Sequence, residues 1–272
     1  MYLGIPPIVN ELLWILRGDV DTKILSDKGI KIWDMNSSRE YLDSKGLVDY
    51  PEGFIGPSYG HCMRRFGARY IRSGLYPLGI CRSPDSPDGT PGEVTKVPPL
   101  MYDRAVDQLA ETIRKIKETP YSRKILISLW DPCSLKDVAL ECCHFAYQFH
   151  VTKTDDIDDE RDWLSLSMTM RSVDSFLGYP FNLASASLFT HIMASICNLR
   201  PKELILTTND THIYKEHIDM AMEQITRTPF EPPHIVIKKD LSTIEDIEAL
   251  VYGDFELIGY ESHGKLSAPL IV

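Results

Sequence analysis

Ala139-Leu140-Glu141-Cys142-Cys143-His144-Phe145-Ala146-Tyr147-Gln148-Phe149 ends in a run that alternates like a half-buried strand. Cys143, Phe145, Tyr147 and Phe149 fall on one side, and His144, Ala146 and Gln148 on the other. A cysteine at the start of such a strand sits on the rim of a sheet, within reach of a small molecule. Residues 163–170 repeat the pattern, with Leu164, Leu166, Met168 and Met170 opposite Ser165, Ser167 and Thr169. The acidic stretch 155–162 between them reads as a hairpin loop, and residues 124–130 as a strand just upstream.

Working outward, helical spacing takes over. Pro6-Pro7 leads into Ile8, Val9, Leu12, Leu13, Ile15 and Leu16, a helix buried on most sides and stopped near Gly18. Glu11 lies inside it, and a buried carboxylate needs a reason. Short helices are expected at 22–28 and 38–44, the second with Ser38 as N-cap. Ala105, Val106, Leu109, Ile113 and Ile116 mark an amphipathic helix ending before Pro120. A nearly all-apolar helix is expected over 182–197, a strand over 204–208, a helix over 213–226 and a strand over 234–238. The Pro/Gly-rich stretch 76–99 reads as an exposed loop or insertion. The strongest strands are neighbours in sequence. That predicts an α+β fold, a large mixed sheet with helices on one face, and one domain over 1–272.

Composition narrows the function. The 272 residues are 43% hydrophobic and 25% charged, ordinary for a globular chain. No apolar run is long enough for a membrane span, and no signal peptide is visible. Six cysteines without regular spacing read as reduced thiols, so a cytoplasmic protein is expected. A net charge of -10 argues against nucleic acid as partner. An anionic small substrate would need local cations, for which Arg123, Lys124 and Arg171 stand out.

The chemical groups each have a plain structural reading. A free cysteine is usually a small buried hydrophobe. Cys142-Cys143-His144 lacks zinc spacing, so no metal is expected, and a disulfide between neighbouring cysteines would be strained. A thiol with a pKa of about 8.5 becomes a nucleophile only beside a cation, which Arg171 could supply. Asn182 alone would be a helix N-cap, Arg171-Ser172 a surface pair, and Asp210-Thr211-His212-Ile213-Tyr214 a capped helix start.

Taken together and in order, these segments resemble folate-dependent thymidylate synthase. The resemblance rests on Asn10-Glu11-Leu12-Leu13-Trp14-Ile15-Leu16-Arg17-Gly18-Asp19, Ile32-Trp33-Asp34, Gly56-Pro57-Ser58-Tyr59-Gly60, Ser122-Arg123-Lys124-Ile125 and Cys143-His144. It continues through Arg171-Ser172-Val173-Asp174 to Pro180-Phe181-Asn182, then Asp210-Thr211-His212-Ile213-Tyr214, and ends at Ala268-Pro269-Leu270-Ile271-Val272.

It implies reductive methylation of dUMP with 5,10-methylenetetrahydrofolate as co-substrate. Cys143 would add to the pyrimidine C6, because a thiolate turns the unreactive C5 into an enolate-like carbon. Glu11, Tyr59 and His144 would serve the same catalytic centre, Glu11 and Tyr59 by organising proton transfer. Asn182 would read the base, and Arg171, Ser172, Asp174, His212 and Tyr214 would bind the nucleotide. Arg123 and Lys124 would reach the partner's site in a sheet-face homodimer. Ile32, Trp33, Leu140, Asp174, Gly178 and Phe181 would contact the folate. The family also allows fusion to, or association with, dihydrofolate reductase.

Several positions depart from the family. Its N-terminal phosphate-clamping arginine loop is expected to be absent, since the sequence starts at Met1-Tyr2-Leu3. Lys124 replaces an arginine, Met170 a glutamine, Glu141 and Cys142 frequent prolines, and Thr208 and Asn209 frequent glycines. Glu141 would oppose thiolate formation unless its carboxylate points away. Two other readings follow: a dUMP or dCMP 5-hydroxymethylase, or a catalytically impaired relative with a binding role.

Overall fold

In helix α1 (Ile5–Arg17), Ile8, Val9, Leu12, Leu13, Trp14, Ile15 and Leu16 are all buried. Apolar residues on nearly every side leave such a helix no stable place except the centre of a core. A computed structural model describes residues 5–68, 80–82, 94–96 and 105–271. Short helices α2 (Lys23–Ser26), α3 (Asp34–Ser37) and α4 (Arg39–Ser44) follow, then α5 (Tyr59–Arg65). The Ser38 hydroxyl accepts from the Tyr41 amide at 3.2 Å, so it is the N-cap its sequence position suggests.

Most of the expected insertion at 76–99 lies outside the described residues. Within it, β1 (Ile80–Arg82) and β2 (Val94–Lys96) pair antiparallel. Helix α6 (Gln108–Glu118) begins at Asp107, whose carboxylate accepts from the Ala110 amide at 3.0 Å, and stops before Pro120.

The main sheet has the order β3 (Leu126–Ser128), β4 (His144–Thr152), β5 (Trp163–Asp174), β6 (Arg200–His212). The first two pairings are antiparallel and the last is parallel, so the sheet is mixed. Helix α7 (Gly178–Ile196) crosses over between β5 and β6 and packs on both. Tyr147, Phe149 and Val151 of β4 and Leu164, Leu166, Met168 and Met170 of β5 point into this core. The opposite face is uncovered along β3 and β6, where Leu126 and Ile205 are about half exposed. Beyond β6 come a 3-10 turn at Lys215–His217, α8 (Ile218–Gln224), β7 (His234–Ile237), α9 (Ile244–Glu248) and β8 (Phe255–Ile258), with β7 and β8 antiparallel. The α+β architecture with a mixed sheet is as the sequence predicts.

Some expected boundaries move. The crossover helix starts at Gly178, not at Asn182, because the Asp174 carboxylate accepts from the amides of Phe176 and Leu177 at 3.0 and 3.1 Å and organises its entrance. Strand β6 runs through Asp210-Thr211-His212, which local propensity would make a helix start. Ten residues of parallel pairing with β5, from Trp163↔Arg200 to Asp174↔His212, override that preference. The strand expected at 124–130 shrinks to Leu126–Ser128, and the helix expected over 213–226 divides into the 3-10 turn and α8.

Candidate active site

The C-terminal ends of β5 and β6 lie side by side, with Ser172 opposite Asp210 and Asp174 opposite His212. In sheets with a parallel crossover, this is where loops and helix N-termini leave room for a ligand. The β4–β5 pairing puts His144 opposite Met170, which brings Cys143 to the same end.

Arg171 binds that corner together. Its backbone amide donates to the Cys143 carbonyl at 2.8 Å. Its Nε donates to the Cys142 carbonyl at 3.0 Å and its Nη2 to the Glu141 carbonyl at 2.9 Å. Those contacts leave Nη2 3.8 Å from Cys143 Sγ, while the guanidinium lies over the Trp130 ring at 5.8 Å. Cys143 is half-buried and thus reachable. Cys142, one residue away, is sealed at 5% exposure, and burial pushes its thiol far above the usual range. The two neighbours therefore differ sharply in their capacity to react.

Beneath the thiol is a layer of polar groups in an apolar setting. The Cys143 amide donates to Tyr59 Oη at 2.7 Å. The Tyr59 ring lies 4.4 Å from the His144 ring and 6.0 Å from Trp33, edge-on. Trp33 Nε1 donates to Glu11 Oε1 at 2.8 Å. Burial raises the Glu11 carboxyl to about 7, against the opposing pull of that indole. Burial likewise raises the Tyr59 phenol, helped by the nearby Cys142 and Cys143 thiols. His144 moves the other way, down to about 4, because desolvation disfavours its cation more than a hydrogen-bonding approach from Asn182 favours it. Its Nε2 is buried without a partner.

The glycines of Gly56-Pro57-Ser58-Tyr59-Gly60 place Tyr59 by close approach. A Cβ on Gly56, which has φ +76°, would fall 2.0 Å from the Asp137 carbonyl oxygen, and one on Gly60 2.3 Å from that of Asp19. Ser58 is buried, its hydroxyl within 3.9 Å of Cys142 Sγ.

Asn182 projects from the first turn of α7. Its Nδ2 donates to the Gly178 carbonyl at 3.0 Å, so it is not the N-cap that its neighbours in sequence suggest. That contact uses one amide hydrogen and leaves the carbonyl oxygen and the second hydrogen. His212 and Tyr214 meet edge to face at 5.0 Å, with His212 Nδ1 3.2 Å from Asp210 Oδ1. Ser172, Asp174, Leu140, Gly178 and Phe181 are partly exposed around the same corner, and Ile32 is 37% exposed beside Trp33.

Arg123 and Lys124 are not part of this cluster. The Phe149 amide donates to the Ile125 carbonyl, so the basic pair lies at the far end of β4, roughly 20 Å from Cys143 by strand rise. Both are exposed, and among the described residues neither meets an acidic side chain.

Among the substituted positions, Met170 is sealed in the core and continues the apolar face of β5. Thr208 and Asn209 sit in extended β6, where Asn209 Nδ2 donates to the Met170 carbonyl at 2.9 Å. Sequence reasoning overlooked Trp130, which stacks under Arg171, and His217, which is buried against Asp174. Neither has a periodic or motif signal. Among the described residues, no group of three or more His, Cys, Asp or Glu could hold a metal, and no helix is long and apolar enough to cross a membrane.

The thymidylate synthase family model matches residues 3–272. Thymidylate synthase of Saccharomyces cerevisiae is 38% identical over 266 residues, covering 97% of this chain and 79% of the yeast protein. The Agaricus bisporus enzyme of the same name is 39% identical, with 97% and 80% covered. The bifunctional dihydrofolate reductase-thymidylate synthase of Paramecium tetraurelia is 39% identical over 97% of this chain, which spans half of that longer protein. Similarity of this extent, running through the thiol, the arginine and the crossover helix alike, means that the chain belongs to the thymidylate synthase family.

Proposed function

We propose that this chain converts dUMP to dTMP by reductive methylation, with 5,10-methylenetetrahydrofolate as co-substrate and dihydrofolate as by-product. The observation that carries the reading is the pairing of a reachable Cys143 thiol with the Arg171 guanidinium 3.8 Å away. The same guanidinium offers charge to a nucleotide phosphate bound beside the thiol.

Each remaining residue then has a task. The Cys143 thiolate adds at C6 of the pyrimidine, and electron density moves to C5 and O4. Asn182 presents an acceptor to N3–H and a donor to O4, the pattern that uracil requires. Ser172, with Arg171, binds the phosphate, and His212 and Tyr214 hold the ribose. Glu11, raised to about 7, exchanges a proton near neutrality, and Tyr59 connects it to the thiol layer. His144, held neutral by burial, keeps an unpartnered Nε2 for a water or substrate atom beside Asn182. The folate supplies the one-carbon unit and the hydride. Asp174 with its carboxylate, and Leu140, Gly178, Phe181, Ile32 and Trp33 with their apolar surface, suit a flat heterocycle with one polar edge.

The assembly is a homodimer through the uncovered sheet face. That face carries the half-exposed Leu126 and Ile205, and Arg123 and Lys124 at its edge are too far from their own thiol to act there. Across a two-fold axis they reach the partner's phosphate subsite. The enzyme works in the cytoplasm, and dihydrofolate reductase, fused in the Paramecium relative, is a natural companion because it consumes the by-product.

Release of tritium from C5-labelled dUMP, together with dihydrofolate formation, tests the reaction. Equal amounts of both are expected. Release without dihydrofolate, with a hydroxymethylated product by mass, would assign the chain to 5-hydroxymethylation instead. No release at saturating folate would leave it a non-catalytic family member.

A further inference from the structure

His217 has no exposed surface, although it follows β6 in a short turn near the molecular surface. Its ring packs on Phe176 at 5.6 Å and meets Tyr214 edge-on at 5.4 Å. Its backbone amide donates to the Tyr214 carbonyl at 3.0 Å. Nε2 lies 2.8 Å from the Pro269 carbonyl oxygen, and Nδ1 lies 3.4 Å from Asp174 Oδ1. One imidazole thus joins the C-terminal segment to the carboxylate at the end of β5.

The chemistry of the two nitrogens is directional. A carbonyl oxygen only accepts, so Nε2 must carry the hydrogen that reaches Pro269. Nδ1 faces a carboxylate and has no hydrogen-bond partner at normal geometry. Asp174 itself is held by the amides of Phe176 and Leu177 at 3.0 and 3.1 Å. Any shift of the imidazole therefore alters both the tail and the surroundings of a carboxylate that opens onto the site.

Residues 261–271 form no helix or strand, so they depend on tethers. The Arg227 Nη1 donor reaches the Gly264 carbonyl at 2.7 Å, and His263 Nε2 pairs with the Thr228 carbonyl at 2.8 Å, both at exposed positions. Leu266 is buried. His217 is the tether nearest the end of the described chain, and it is wholly buried.

We infer that His217 is a positioning residue that couples the C-terminal segment around Pro269 to Asp174, and through it to the folate subsite. The inference rests on the assignment of Asp174 to that subsite. Coupling of this kind is reciprocal, so a ligand that engages Asp174 also steadies the tail.

Three variants separate the two contacts. His217→Phe keeps the ring but removes both nitrogens. His217→Gln places an amide donor near the Nε2 position, and His217→Asn reaches only toward Asp174. Amide exchange of residues 266–271 in the unliganded protein should quicken in the Phe and Asn variants and stay near wild type in the Gln variant. The KM for methylenetetrahydrofolate should rise about tenfold in the Phe variant, with the KM for dUMP changed by less than about threefold. Equal tail exchange in the Gln and Asn variants, or equal rises in both KM values, would overturn the inference. If the Phe variant does not fold, the Gln and Asn pair still decides it. Should the wild-type protein turn over no dUMP, the functional reading fails while the exchange comparison still judges the tether.

Discussion

Glu11, Tyr59 and His144 form a floor where desolvation works against charge, although Glu11 and His144 keep some exposed surface, as do Cys143, Ser172, His212 and Tyr214 on the rim beside Arg171. On the floor, protons are held or refused by desolvation. On the rim, the Arg171 guanidinium supplies the field, 3.8 Å from the Cys143 sulfur. A site that must both make an anion and move protons gains from keeping the two tasks in separate layers. The Cys143 amide on the Tyr59 hydroxyl and the Asn182 amide beside His144 join them.

The sharpest way to break this division is to exchange the two adjacent cysteines. Cys143→Ser should lower the rate of dTMP formation by about 10³-fold or more, as loss of a covalent nucleophile does. Cys142→Ser should leave most of the rate, since that thiol is sealed among Ser58, Tyr147 and its neighbours. Equal losses would mean that reactivity does not follow the boundary between rim and floor. Next in size is Glu11→Gln, expected to cost about 10²-fold in kcat and to remove an inflection near pH 7 from the rate profile. A variant that retained the inflection would assign that proton to another group.

A smaller effect tests whether the rim reads the base. Asn182→Asp replaces the second amide hydrogen with an acceptor, or with a hydroxyl when protonated, which suits the amino group of cytosine better than O4 of uracil. The ratio of kcat/KM for dCMP over dUMP should rise by about tenfold, the scale of one hydrogen bond exchanged for a mismatch. An unchanged ratio would detach Asn182 from recognition and leave it as a partner of the Gly178 carbonyl alone.

The rim was far more legible in the sequence than the floor. Alternation located β4 and β5, because a period of two is a local property, but a register shift between His144 and Ala146 breaks it beside Cys143, and β5 runs on past Arg171 to Asp174. Glu11 announced itself as a carboxylate among apolar neighbours, yet its indole partner is 22 residues away and no periodicity points to it. The crossover helix was misplaced by four residues because its entrance is organised by Asp174, upstream of a proline that local rules treat as a boundary. Polar residues hid the last turn of β6 for a related reason: pairing with β5 stabilises Asp210-Thr211-His212 where propensity does not. Trp130 and His217 act through contacts that form only when distant segments meet.

The finest test concerns stability, where two floor groups have opposite signs. Burial raises Glu11 from 4.5 to about 7, so between those values the native state binds more protons than the unfolded chain. Stability from this group is therefore greatest below 4.5 and declines as pH rises to 7. Burial lowers His144 from 6.5 to about 4, so in that window the native state binds fewer protons. Its contribution is intact above 6.5 and is lost as pH falls toward 4, as it is in direction for His61 and His191. Between about pH 7 and 5 the two terms are each on the order of 2 kcal/mol and nearly offset one another. Urea unfolding at both pH values should show a steeper acid loss in Glu11→Gln than in the wild type. His144→Gln should show a shallower loss or a gain. Departures from the wild-type slope in the same direction in the two variants would mean that desolvation does not set both protons, and the floor would lose its claim to be one electrostatic layer.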